Sequence, residues 1–141
     1  MDSAANRVQE LMSIRLAHND LKANNICVHD TCKGIKCVVI DFGMASKICS
    51  SPLYQKAKAA EKCKRCTWMA PEVLKALPST FTSDTYSLAS MFDKLAGKCR
   101  VNLPHDVKQW INKGLSVEPN RRQELSKLNQ IIKSVLDNKR T

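Results

Sequence analysis

His18-Asn19-Asp20-Leu21-Lys22-Ala23-Asn24-Asn25 leads into Ile26-Cys27-Val28-His29, and after Asp30-Thr31-Cys32-Lys33-Gly34-Ile35 the chain continues as Lys36-Cys37-Val38-Val39-Ile40-Asp41-Phe42-Gly43. The two β-favouring runs flank a segment with turn chemistry, which predicts a β-hairpin. Pairing Ile26 with Ile40, Cys27 with Val39 and Val28 with Val38 sets Asn25 opposite Asp41, on neighbouring strands about 5 Å apart. An amide oxygen and a carboxylate at a strand end are the hard ligands that Mg2+ takes alongside water and phosphate. Asp20 lies on the loop entering the hairpin, within reach of that pair without having to bind the metal, and suits a base for an incoming hydroxyl. Lys22, between them, can neutralise charge on a transferring phosphoryl group. The residue types therefore point to phosphoryl transfer.

Outward from this stretch the period changes. Val8, Leu11, Met12 and Ile14 recur at roughly helical spacing, so residues 4–15 read as a short amphipathic helix delivering the chain to His18. Residues 44–65 lack sustained periodicity, are rich in Lys and Arg, and read as a long basic loop carrying Ser50, Ser51 and Tyr54 as candidate phosphorylation sites. Pro71 opens a helix with Glu72 in its first turn, where the helix dipole favours a carboxylate, and Pro78 closes it. Thr82-Ser83-Asp84 can cap the next helix, about Tyr86 to Leu95, whose Leu88, Ala89, Met91, Phe92 and Leu95 predict burial. Val107, Trp110, Ile111 and Leu115 mark another helix, and Leu125, Leu128, Ile131, Ile132, Val135 and Leu136 a last one. The expected fold is one domain over residues 1–141, mainly α with a small β-hairpin, an α+β arrangement.

With these elements placed, a family resemblance emerges. His18 to Asn25 is similar to the catalytic loop of eukaryotic-type protein kinases, Asp41-Phe42-Gly43 to their magnesium motif, and Ala70-Pro71-Glu72 to the end of their activation segment. One such tripeptide is weak, but three in order around one hairpin are specific. Asp84-Thr85-Tyr86-Ser87-Leu88-Ala89 resembles the start of the family's central helix, whose Asp braces the catalytic-loop backbone. Glu118-Pro119-Asn120-Arg121-Arg122 resembles the segment whose final Arg pairs with the Glu ending the activation segment, here Arg122 with Glu72. The resemblance implies a C-terminal lobe with catalytic loop 18–25, magnesium motif 41–43, activation segment 41–72 and a helical remainder 73–141. It implies Asp20 as catalytic base, Lys22 as the cation at the γ-phosphate, and Asn25 and Asp41 as holders of Mg2+ and ATP. His18, Phe42, Gly43, Glu72, Asp84 and Arg122 take structural roles, and Lys22 is similar to the serine/threonine-specific pattern.

The sequence departs from the family in places. Seventeen residues precede His18, and the glycines at 34, 43, 97 and 114 form no Gly-rich nucleotide loop, so the N-terminal lobe is expected to be absent and the isolated chain weakly active at most. Asn19 replaces the Arg that reads an activation-loop phosphate, which makes control by that phosphate doubtful. The family's Gly-Thr before the segment end aligns with Lys64-Arg65, removing a hydroxyl that contacts the catalytic Asp and Lys; Thr67 can substitute only if the backbone shifts. Ala89 stands at a family Gly, and the stretch from there to Glu118 is short, which suggests a reduced docking region.

Composition narrows the partners. Lys and Arg number 23 against 13 Asp and Glu, a net +10, yet no aromatic-interleaved basic patch accompanies it, so a specific nucleic-acid partner is not expected. No signal peptide or apolar run of membrane-spanning length is present, which points to cytoplasm or nucleus and to no membrane insertion. The seven cysteines then read as free thiols, and Cys63-Lys64-Arg65-Cys66 is a lone pair without a second metal-binding half. Expected partners are a protein substrate or, if the chain is a non-enzymatic module, a partner kinase that it binds or inhibits. No pattern in the chain reports oligomeric state.

Overall fold

A computed structural model describes residues 4–50 and 65–138. Ser51, Tyr54, Cys63 and Lys64, singled out above, lie outside the described residues. The element order is α1 (Ala4–Ser13), β1 (Leu16–Ala17), β2 (Ile26–Thr31), β3 (Gly34–Val39), β4 (Ser46–Lys47), α2 (Pro71–Leu74), α3 (Ser83–Cys99), α4 (His105–Gly114) and α5 (Leu125–Asn138). Single 3-10 turns cover Ala23–Asn25 and Pro119–Arg121. Helices and small antiparallel sheets together make the α+β arrangement that the periodicity predicts.

The core explains why the 18–25 loop is held firmly. Ala5 and Val8 turn one face of α1 inward, where they meet Leu88 of α3, Trp110 of α4, and Leu125 and Leu128 of α5. Leu21 belongs to the same cluster and is fully buried, so the loop is nailed to the core between Asp20 and Lys22. Burying one such leucine contributes roughly 1.5–3 kcal/mol. Helices α3 and α4 approach closely at Gly114, where an added Cβ would stand 2.7 Å from the Ala89 Cβ. The methyl that Ala89 carries is thus accommodated by a glycine on the facing helix.

Four local expectations are corrected. The hairpin pairs Ile26 with Val39, Cys27 with Val38 and Val28 with Cys37, one residue out of the expected register. Its tip is the two-residue turn Cys32-Lys33 between the paired Thr31 and Gly34, and an even loop shifts the whole ladder by one. Gly34 takes a positive φ of 107° there, while Thr31 Oγ1 donates to the Gly34 carbonyl at 2.6 Å. Asn25 therefore lies across from Ile40, whose amide donates to the Asn25 carbonyl at 2.9 Å, and Asp41 is one step beyond.

Helix α2 stops at Leu74, short of Pro78, because Ala76 turns to a positive φ of 56°. Helix α3 is longer than expected, and its burial is uneven: Ser83 to Met91 supply the buried positions, but Leu95 is 41% exposed and Phe92 only partly covered. Nor does Asp84 cap its helix, since its carboxylate is turned toward the backbone of His18 and Asn19.

Candidate functional site

Asp84, buried at the start of α3, receives the backbone N–H groups of His18 at 2.7 Å and Asn19 at 3.0 Å. Burial pushes its carboxyl above the usual value, and the amide donors of His18 and Asn19 pull the other way. Asparagine at this position presents an NH2 to one of those donors. Asp84→Asn is expected to cost about 1–3 kcal/mol in chemical denaturation, with faster hydrogen exchange at the amides of 18 and 19. Unchanged stability and exchange would show that the brace carries no load.

His18 extends the brace sideways. Its Nε2 lies 3.0 Å from the Ile40 carbonyl and its Nδ1 accepts the Asp20 N–H at 3.3 Å, an arrangement met by the tautomer protonated on Nε2. The ring also packs against Phe42 at 5.0 Å between centroids. One imidazole thereby joins the loop before Asp20 to the strand end before Asp41.

Asn19 has a positive φ of 66°, a conformation that Asn tolerates better than most residues. Its side chain is buried and fully used: Nδ2 donates to the Met44 carbonyl at 3.0 Å and to Ser46 Oγ at 2.8 Å, and Oδ1 accepts from Ser79 Oγ at 2.7 Å. A neutral amide thus ties the 18–25 loop to the segment following Gly43.

The Asp20 carboxylate is the focus of the site. Oδ2 accepts from Lys22 Nζ at 2.9 Å and Asn25 Nδ2 at 3.2 Å, while Oδ1 accepts from the Trp68 indole N–H at 2.8 Å. Asn25 Nδ2 also donates to the Asp20 carbonyl at 2.9 Å. Lys22 Nζ sits 5.0 Å from the centre of the Trp68 ring, within cation-π range. Asp20, Lys22 and Asn25 are thus joined by hydrogen bonds, and among the bonds described none links Asp41 to them.

Asp41 is exposed, has a positive φ of 64°, and accepts only the Gly43 N–H, at 3.3 Å, among the bonds described for its carboxylate. With Nδ2 of Asn25 committed to Asp20, the oxygen of that amide is its remaining cation ligand. An amide oxygen and a largely uncommitted carboxylate on adjoining strand ends fit Mg2+ by donor type.

Glu72 and Arg122 meet as a two-point pair, Nη1 to Oε1 at 2.7 Å and Nη2 to Oε2 at 2.8 Å, with both residues buried. Burial alone would raise the Glu72 carboxyl, but the hydrogen bonds from Arg122 and Ser83 outweigh it and hold the group below its ordinary value. The pair anchors α2 to the turn before α5.

Sequence reasoning missed Trp68, Ser46 and Ser79. A tryptophan near a chemically loaded loop needs a partner for its N–H, which is a usable signal for Trp68. The two serines are recognisable only once Asn19 is seen between them.

A loop bearing a braced carboxylate, a lysine and an asparagine, followed by a hairpin and an ion-paired helical base, defines a kinase-like α+β unit. The chain belongs to the protein kinase domain family, whose sequence pattern matches residues 3–139. It is similar to the tyrosine protein-kinase src-1 of Caenorhabditis elegans, at 32% identity over 101 residues, covering 71% of this chain and 19% of that protein. It is also similar to the serine/threonine-protein kinase CTR1 of Arabidopsis thaliana, at 37% identity over 81 residues, 57% of this chain and 9% of that one. Human protein kinase C delta type is 29% identical over 121 residues, 75% of this chain and 17% of its own length. The chain spans less than a fifth of these relatives, which include both tyrosine and serine/threonine kinases. Among the described residues no helix is long and apolar enough to cross a membrane.

Proposed function

We propose that this chain is the C-terminal catalytic lobe of a protein kinase, which transfers the γ-phosphoryl group of ATP to a serine or threonine hydroxyl of a protein when an N-terminal lobe completes the nucleotide cleft. The observation that carries the reading is the Asp20 carboxylate with Lys22 and Asn25 both on Oδ2. Asp20 accepts the hydrogen bond of the incoming hydroxyl, orients its oxygen at phosphorus, and takes the proton as the new P–O bond forms and the bond to the leaving diphosphate breaks. Lys22, already beside Asp20, balances the charge that accumulates on the transferring group. Asn25 and Asp41 are the residues that would hold Mg2+, which supplies neutralisation of the phosphate oxygens. The serine/threonine preference rests on Lys22, two positions after Asp20.

Two measurements test this. Fused to a compatible N-terminal lobe, the chain is expected to phosphorylate serine- or threonine-bearing peptides in a Mg2+-dependent way; a fusion that binds nucleotide but transfers nothing would reject the catalytic reading. The isolated chain is expected to be stabilised by about 2.7 kcal/mol when Mg2+-ATP is present at 100 times its Kd, read as a shift in thermal midpoint. No shift at millimolar nucleotide would move the nucleotide site out of this chain.

A second reading is a non-enzymatic module that binds or inhibits a partner kinase. A cleft of about 550 Å³ favours it, lined by Leu11 of α1, Ile14 just after that helix, Val38 and Val39 of β3, and Phe42. Ile14, Val38 and Phe42 are 64%, 50% and 47% exposed, a concentration of apolar surface suited to a protein partner. Retained binding to a kinase by a turnover-dead fusion would support this reading over the first.

A further inference from the structure

We propose that Trp68 is a positioning residue for Asp20 and Lys22, supplying through its indole the anchor that the aligned threonine position lacks. The inference rests on the reading of Asp20 as the base. Arg65 occupies that position, and Thr67 does not replace the lost hydroxyl: the bond described for its Oγ1 comes from Lys94 Nζ at 2.8 Å, and none runs from it to Asp20. Among the described residues of the activation segment, the donor that reaches the Asp20 carboxylate is the Trp68 N–H, on Oδ1 at 2.8 Å.

The acceptor count gives this contact its meaning. An ionised carboxylate offers about four lone-pair sites, two on each oxygen. Lys22 and Asn25 fill both on Oδ2, and Trp68 takes one on Oδ1. Among the described residues' bonds a single acceptor position remains, on Oδ1, beside the indole edge. A hydroxyl that binds Asp20 is therefore confined to one approach, and the indole fixes the rotation of the carboxylate that defines it.

The same ring holds the other charged partner. Lys22 Nζ lies between Asp20 Oδ2 and the face of Trp68, 2.9 Å from the oxygen and 5.0 Å from the ring centre. Edge and face of one side chain thus set the carboxylate and the ammonium relative to each other. Trp68 is itself seated by Met69, Ala70 and Val73, which are buried at the foot of α2. That α2 is in turn fastened by Glu72 to Arg122, so the anchor is rigid from behind.

The pairing is tested on the isolated chain by the 15N-resolved indole signals, since the protein has only two tryptophans. Asp20→Ala is expected to shift the Trp68 indole N–H resonance and leave that of Trp110, which donates to the Glu124 carbonyl, in place. A Trp68 signal that does not move would overturn the pairing. The positioning role is tested in the N-lobe fusion. Trp68→Phe keeps an aromatic ring, smaller than the indole, and removes the donor, and is expected to lower kcat roughly 100-fold while KM for ATP stays constant. Adding Arg65→Thr to that variant returns the family hydroxyl and is expected to restore most of kcat, a rescue that a packing role for Trp68 would not produce. Unchanged or increased kcat in Trp68→Phe, or no rescue, would overturn the proposal. A wild-type fusion without turnover would sink the kinase reading and the catalytic half of this one, while the indole resonance still reports whether Trp68 holds Asp20.

Discussion

Glu72→Ala is expected to cost about 3–5 kcal/mol, the penalty for removing one member of a buried ion pair and stranding the other. Arg122 shows why the figure belongs at this scale. Its guanidinium spends all five of its N–H donors: Nε on the Ser116 carbonyl, Nη1 on Glu72 and the Thr82 carbonyl, Nη2 on Glu72 and the Val117 carbonyl. It also lies 5.1 Å from the centre of the Tyr86 ring, and its side chain has no solvent exposure. Without Glu72 the charge stays buried, with two donors unpaired. The measurement is the urea midpoint, and a midpoint within experimental error of wild type would refute it. Replacing both partners, as Glu72→Leu with Arg122→Met, is expected to cost clearly less than Glu72→Ala alone.

The same carboxylate carries a pH dependence with a defined sign. The Glu72 carboxyl lies below its ordinary value of 4.5 in the folded protein, so its stabilisation is present above the unfolded value and is lost as the pH falls toward the folded one. Asp84 acts in the opposite sense: its folded value is raised by burial, so its protonation in acid partly offsets the Glu72 loss. Glu72→Gln removes the first contribution and leaves the second. A variant of that kind is expected to lose less of its remaining stability between neutral pH and acid than the wild type does.

What could be read from the sequence follows from how locally each feature is encoded. Helices were legible because Val8 and Met12, or Leu125 and Leu128, repeat at the spacing of one buried face. The hairpin was legible as an element and wrong in register, since the alternation of β2 and β3 is too weak to choose between a two-residue and an odd turn. Only the Thr31 to Gly34 pairing decides it. The error moved Asp41 by one place, from opposite Asn25 to one step past it. The contact of Trp68 with Asp20 spans 48 residues and depends on how α2 is seated, which no local pattern reports. For Asp84 the helix start suggests a cap and the family resemblance implies a brace on the loop backbone; the structure has the brace, because the partner that decides between them lies 66 residues away at His18.

Asp20→Asn and Asp41→Asn are expected to fail in different ways, and the difference is the most demanding test of the proposed chemistry. Both substitutions keep side-chain size and remove one charge. At position 20 the new amide can still accept from Trp68 through its oxygen, but its NH2 then faces Lys22 Nζ and Asn25 Nδ2, so donors meet donors where the carboxylate had accepted both. The base is lost and its supports are pushed away, and turnover in the N-lobe fusion is expected to fall by a factor on the order of 10² to 10⁴. Affinity for the nucleotide is expected to survive, because Asp20 is not one of the groups assigned to Mg2+. At position 41 the carboxylate is exposed and engages only the Gly43 N–H among its described bonds, so the free protein is expected to keep its thermal midpoint. What Asp41→Asn removes is one of the two oxygen ligands assigned to the metal, so the stabilisation by Mg2+-ATP is expected to shrink. Turnover retained in Asp20→Asn would end the assignment of the base. An undiminished Mg2+-ATP shift in Asp41→Asn would end that of the metal ligand, and each result stands without the other because the two side chains are held by separate contacts.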